Sequence, residues 1–461
     1  MSELGRRTTR VTFWAGMTAD VDLSAIRQMA IPVKGVSFDN PLRFLEVFAN
    51  VEANDSELCQ RLSRMNTWSW EFVERQFLPT IPGVEFSIGD NIPQPPFAWR
   101  DAAPGHLCIS FTYNTNALFR ILSSLSDAGR IPSDRVIPLL DDACLILTHI
   151  YRARSGFVLR NINNNLNMYL ISKVIEFLVG KSTYDSECQE LETTRAALMS
   201  ALDMSFEQEQ LSVRDKMSVS VGRGVSFIES KLRGGKISRS DLKSIQDTSH
   251  RYFGKEFAID HRDKLFDMIS NAGQSKARFT LAVILDDAAE SVDDLLWLSA
   301  LMRDFPFLEI DLVINTAQVS INFCSQYLND VLNCSTLSCL GPWIGNRVAV
   351  TLVHCPFISY QAAYLPQKAL EVIDAADAVY VKGANFFETC QLRHKNTFYA
   401  FVVYGPISRA YSGLDDFQAV FAYLPAGRTG YEHGHSLGPA RTLIQTCDPT
   451  PVISEPPVRC Q

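Results

Sequence analysis

The sequence predicts an α/β protein, a Rossmann-like α/β/α sheet domain preceded by a mainly helical N-terminal region. Three observations carry this. From residue 279 onward, apolar β-prone runs alternate with helical stretches: FTLAVIL (279–285), LEIDLVIN (308–315), RVAVTLVHC (347–355), AVYVKG (378–383) and FYAFVVY (398–404). Such alternation marks a mostly parallel sheet with helices on both faces. The first run shows no polar alternation, as expected of a strand covered on both sides. Between about 110 and 275, by contrast, apolar residues recur at helical spacing and the breaks fall at Gly, Ser and Asp.

At 461 residues the chain exceeds the size at which one core keeps growing, so several subdomains are expected. The boundaries predicted are 1–109, a mixed segment packing on the body; 110–275, a helical domain; 276–430, the sheet domain with the site; and 431–461, a loop-rich tail. Within 1–109, residues 50–77 have helical spacing (Leu58, Leu62, Met65, Trp68, Trp70, Phe72) and 78–105 read as a proline-rich connection. Helices are expected over 114–128, ending at Gly129, over a stretch that Asp134 caps, and over 165–178, closing at Gly180. The segments 184–210, 224–233, 239–253 and 261–271 continue the pattern. Inside the sheet domain, helices are expected at 291–304, 322–333, 365–375 and 385–393, and the chain after Gly413 reads as loop.

Composition narrows the function. A net charge of −8 leaves no excess of Lys and Arg to neutralise phosphates, which argues against nucleic-acid binding. No segment has the ~18 apolar residues of a membrane span. The eleven cysteines include no CxxC pair, and the N-terminus has no apolar run of signal-peptide length. A cytoplasmic protein is expected.

In an open α/β sheet, ligands bind beyond the carboxyl ends of the strands, so the residues there are the candidates. The first run ends in Asp286 and Asp287, followed by Glu290, Asp293 and Asp294. The second brings Asn315, Ser320 and Asn322, the fourth Lys382 and Gly383 with Asn385 and Glu388, the fifth Tyr404, Gly405 and Pro406. Carboxylate and amide oxygens suit Mg²⁺ or Mn²⁺. The lysine offers a point charge to a phosphate, and Gly383 lets backbone N–H groups approach that anion. Taken singly, each has a structural explanation: acids complement a helix N-terminus, asparagines cap helices, and a strand-end lysine is solvated. Joint placement at successive strand ends favours a ligand site.

These residues also carry a family resemblance. Over 276–415 the sequence resembles the domain-of-unknown-function 89 (DUF89) family, the metal-dependent damage-control phosphatases. The family motif Asp-Asn-x-Gly-Glu, with an Asp four residues later, stands here as Asp286-Asp287-Ala288-Ala289-Glu290 with Asp294. Asn322, in QVSINF, occupies the place of the family's next metal ligand. The Lys-Gly motif appears as Lys382-Gly383 in VKGANFFET. Three positions depart: Asp287 stands for Asn, Ala289 for Gly and Asn322 for Asp. The Asp/Asn exchanges cancel in formal charge.

The resemblance implies hydrolysis of small phosphomonoesters such as sugar phosphates, dependent on Mn²⁺, Mg²⁺, Co²⁺ or Ni²⁺. It implies Asp286, Asp287 and Asn322 as metal ligands, and Asp286, Glu290 and Lys382 in catalysis. Lys382, Gly383, Asn385, Glu388 and Asp294 are then expected around a small phosphorylated metabolite. Arg409, Arg428, His433 and His435 are candidates for the far end of the pocket. Two rivals stand beside this reading: a phosphometabolite-binding protein whose site has drifted from catalysis, and an S-adenosylmethionine-dependent carboxyl methyltransferase. The first is fed by the Asp/Asn exchanges, and the second is weakened by the lack of a glycine-rich loop after the first clear strand.

Overall fold

The computed structural model describes residues 9–14, 17–21, 40, 42–52, 60, 68–78, 104–162, 164–180, 188–234, 257–275, 278–319, 321–357, 360, 365–390, 392, 394–403, 408, 412–415 and 417–427. Strands β1 (Thr9–Trp14) and β2 (Met17–Val21) form an antiparallel pair. Helices α1 (Arg43–Glu52), α2 (Trp70–Phe77), α3 (Pro104–Asp127), α4 (Val136–Asn161), α5 (Asn164–Val179), α6 (Cys188–Met204) and α7 (Val213–Gly234) follow. Then come β3 (Ile259–Asp260), α8 (Arg262–Gln274), β4 (Phe279–Ile284), α9 (Ala288–Asp304), β5 (Leu308–Asn315) and α10 (Leu328–Leu332). The sequence of elements ends with β6 (Val348–Val353), α11 (Gln367–Ala375), β7 (Ala378–Lys382), α12 (Ala384–Thr389), β8 (Thr397–Val402) and β9 (Ala419–Leu424).

Seven strands form one mixed sheet in the order β3-β9-β8-β7-β4-β5-β6. All neighbours run parallel except β8 and β9. The five expected strands are all present. Because side chains alternate across a strand, β4 serves two cores. Leu281 and Val283 join a core with α6, α7, α8 and α9, while Ala282 and Ile284 join one with α1 to α5 and α11. Leu281, Val283 and Ile284 contribute about 1.5–3 kcal/mol each when fully buried. The helices of 110–275 therefore divide between the two faces of the sheet, and the described parts of the N-terminal stretch pack on α3, α4 and α5.

Among the described residues, β1, β2, α1, β3 and β9 escaped the sequence pattern. AVFAYL, in the stretch read as loop after Gly413, is β9, which pairs antiparallel with β8 and so needs no crossover helix to announce it. The two-residue β3 is too short to show a period. A capping expectation also fails: Asp134 lies inside a short 3₁₀ turn, Ser133–Arg135, and α4 starts one residue later with Arg135 at its N-cap. Gly180 does end α5, at φ 71°, a conformation that favours glycine. The helix read at 239–253 lies outside the described residues, as do Ser320, Tyr404, Gly405, Pro406, Arg409, Arg428, His433 and His435. Among the described residues no helix is long and apolar enough to cross a membrane.

Candidate metal and phosphate site

Strand order locates the site. From β4 the chain steps outward through β5 to β6, then returns to lay β7 against the other side of β4. The connections beyond β4 and β7 thus leave the sheet in opposite directions, opening a crevice between those two carboxyl ends. Asp286 and Asp287 follow β4, and Lys382-Gly383 ends β7. The two motifs singled out from sequence meet at that switch point.

The loops after β4 and β5 are tied together. Asp287 and Asn322 form an isolated antiparallel bridge. The Ala288 amide donates to the Ile321 carbonyl (2.8 Å), and the Phe323 amide to the Asp286 carbonyl (2.7 Å). These bonds hold Asn322 beside the acids although it is distant from Asp287 in sequence. All three side chains are part-exposed. Asn315 serves the scaffold instead. Its side-chain amide donates to the Cys355 carbonyl (2.7 Å) and accepts from the Cys355 backbone N–H (3.0 Å), bracing β5 against the chain after β6. Among the described residues no three His, Cys, Asp or Glu side chains converge as a metal-binding group. The donor set here is two carboxylates and one amide, an all-oxygen combination that fits a hard divalent cation.

Gly383 explains itself by what it lacks. A Cβ there would overlap Asp286 Oδ2 and lie 2.5 Å from its Cγ, and φ is 99°. The Asp286 carboxylate occupies the space a side chain would fill, so only glycine lets β4 and β7 bring their ends together. The expectation that the Gly383 N–H binds a phosphate is overturned. That N–H donates to the Ala400 carbonyl at 2.9 Å, continuing the ladder between β7 and β8.

Behind the crevice lies a buried charge cluster whose cause is α9. Every residue from Ala288 to Met302 is buried, because the helix is enclosed by the sheet, α6 and α7. With no solvent face, its acids must be partnered inside. Asp293 pairs with Arg223 of α7 and accepts a hydrogen bond from Gln208. Asp294 accepts from the Ser220 hydroxyl (2.6 Å), the Tyr380 hydroxyl (2.7 Å) and the Trp297 indole (3.1 Å). Lys382 lies 3.4 Å from Asp294 and 3.8 Å from Glu290. Its ammonium donates to the Ser220 hydroxyl (2.8 Å) and carbonyl (3.0 Å). Burial pulls the Lys382 pKa down, but Asp294, Glu290 and Asp293 outweigh it and hold the group charged.

Asp294 is correspondingly not a substrate contact, as the motif implied, since it is 0% exposed and spends Oδ1 on three donors. It is the group that holds Lys382, which is itself 1% exposed and donates to Ser220, so the expectation that the lysine directly contacts a phosphate is corrected as well. Ser220, Arg223, Gln208 and Tyr380 were not foreseen. Their only sequence signal was polarity within apolar helical or strand surroundings, such as Ser220 and Arg223 in VSVGRG.

Of the residues after Gly383, Asn385 is part-exposed, whereas Glu388, expected at the substrate, is instead buried, with Oε1 accepting from the Ser408 hydroxyl (2.7 Å) and Oε2 unpartnered. Burial pushes its pKa from 4.5 up to about 7. The folded carboxyl therefore binds its proton more tightly than the unfolded one. Stability from this group is fully present below pH 4.5, falls as pH rises to about 7, and stays lost above. Glu388→Gln is expected to remove that slope and to raise stability at pH 8 by about 3 kcal/mol, read as the melting temperature of both proteins between pH 5 and 8.

No family model matches the chain, and no curated protein matches it. Among solved structures, the crystal structure of a DUF89 family protein from Pyrococcus horikoshii is similar, with a TM-score of 0.50 over 67% of this chain and 95% of that one, at 14% identity. What two chains so far apart in sequence share is the architecture: this chain has an α/β fold in common with a DUF89 family protein.

Proposed function

We propose that the chain belongs to the DUF89 family and hydrolyses small phosphomonoesters, such as sugar phosphates, with the help of a divalent cation. The observation that carries this reading is the switch-point crevice, where the Asp286 carboxylate sits over Gly383 with Lys382 behind it. Asp286, Asp287 and the Asn322 amide oxygen would hold Mn²⁺, Mg²⁺, Co²⁺ or Ni²⁺. When bound, the cation supplies positive charge to a phosphate oxygen and offsets the charge that builds during displacement. Lys382, kept charged by its three acids and buried behind the crevice, adds a second cationic influence through its field rather than by contact. Asn385, part-exposed at the start of α12, offers an amide to the substrate. Glu290, beside Lys382, holds the lysine and orients the water side of the site.

The test is p-nitrophenyl phosphate hydrolysis by protein stripped with chelator and resupplied with each of the four metals. Restored activity is the expected result. A folded, metal-binding protein that turns over nothing would instead be a phosphometabolite-binding protein, with the Asp287 and Asn322 exchanges as the cause. The methyltransferase reading is disfavoured by acids standing where a nucleoside cofactor needs a glycine-rich turn; S-adenosylmethionine binding in calorimetry would revive it.

A further inference from the structure

We propose that Ser220 of α7 is a positioning residue for Lys382, so that a helix packed on one face of the sheet sets the direction of the lysine's ammonium. The kinetic consequence rests on the phosphatase reading; the contact itself does not.

A lysine stem has four flexible carbons, so the end of β7 does not by itself decide where the ammonium points. Ser220 decides it with two acceptors on one residue, the hydroxyl at 2.8 Å and the carbonyl at 3.0 Å. The serine is fully buried, and its single hydroxyl hydrogen goes to Asp294 Oδ1 at 2.6 Å. Its lone pairs are thereby left for Lys382. Asp294 is fixed in turn by Tyr380 and Trp297 on the same oxygen, which leaves Oδ2, at 3.4 Å, facing the ammonium. One turn further along α7, Arg223 pairs with Asp293 of α9 and fixes the helix against the sheet. Without the Ser220 hydroxyl, the nearest remaining side-chain acceptors are the carboxylates of Asp294 and Glu290. The ammonium would then keep the Ser220 carbonyl as its one fixed anchor and lean onto those carboxylates, so its direction is no longer set by two points.

The experiment compares kcat and KM for p-nitrophenyl phosphate in the wild-type chain, S220A, S220T, K382M and S220A/K382M. The ¹H–¹⁵N signal of the Lys382 ammonium, assigned by its absence in K382M, is followed in parallel. S220A is expected to lower kcat/KM about tenfold, the scale of one hydrogen bond to a charged group, and S220T to restore most of it. In the K382M background S220A should cost nothing more. The ammonium signal should vanish from S220A as the protons begin to exchange with water. Unchanged kcat/KM in S220A, or the same loss with Lys382 already removed, would overturn the assignment. If the wild type turns over nothing with any metal, the phosphatase reading fails and the ammonium signal alone decides: loss in S220A upholds the positioning role, persistence ends it. Should S220A not fold, Ser220→Cys, which keeps the volume and weakens the acceptor, is read the same way.

Discussion

Asp286→Ala is expected to lower metal-restored hydrolysis on the order of a thousandfold while the melting temperature holds or rises. The loss should exceed the 10–100-fold typical of residues that merely orient a ligand, because Asp286 is the proposed ligand of the cation itself. The stability side follows from charge. The carboxylate fills the space beside Gly383 and adds negative charge to a stretch that also holds Asp287, Glu290 and Asp294. Removing it relieves that like-charge repulsion, the usual relation between an active-site group and stability. Metal-dependent kinetics and thermal melts on the same preparation read the two effects. An Asp286→Ala enzyme with normal metal-restored activity would remove this residue from the site. A large drop in melting temperature would recast it as structural.

Gly383→Ala should have the second large effect, and on both readouts. The new methyl would overlap Asp286 Oδ2 and be placed 2.5 Å from its Cγ and 3.1 Å from its Cβ. The carboxylate must swing away, and the residue must also hold φ near 99°, where an L side chain is strained. Together these should cost about 3 kcal/mol of stability and most of the activity, since the displaced group is the proposed metal ligand. The pair supports a further check by double-mutant cycle. In an Asp286→Ala background the two closest contacts, with Oδ2 and Cγ, disappear, while the backbone strain and the 3.1 Å contact with Cβ remain. Gly383→Ala should then be markedly less destabilising than in the wild type. Equal losses in both backgrounds would mean that the glycine serves backbone conformation alone.

Five strands of the sheet, β4 to β8, and the residues at their ends were legible in the residue pattern alone. Phe279 to Leu285 reads as a doubly covered strand because burial on both faces demands apolar residues at every position, and that demand is local. The acids after it and the Lys-Gly pair after β7 stand out for the same reason, as polar groups where an apolar run stops. The pattern was silent on β9, whose antiparallel pairing leaves no crossover helix to mark it.

What those residues face was set by packing between segments far apart in the chain. Gly383 was recognisable as a glycine worth explaining, but its N–H belongs to the ladder with β8, and its value lies in the space given to Asp286. Asp294 looked like part of the pocket until the packing of α9 closed over it. Lys382 and Ser220 stand 162 residues apart, and no period or motif links them. Periodicity records whether a position is buried, because water is the same partner everywhere. Which protein group replaces the water depends on how helices and strands distant in sequence are brought together, and that is set by packing of the whole chain.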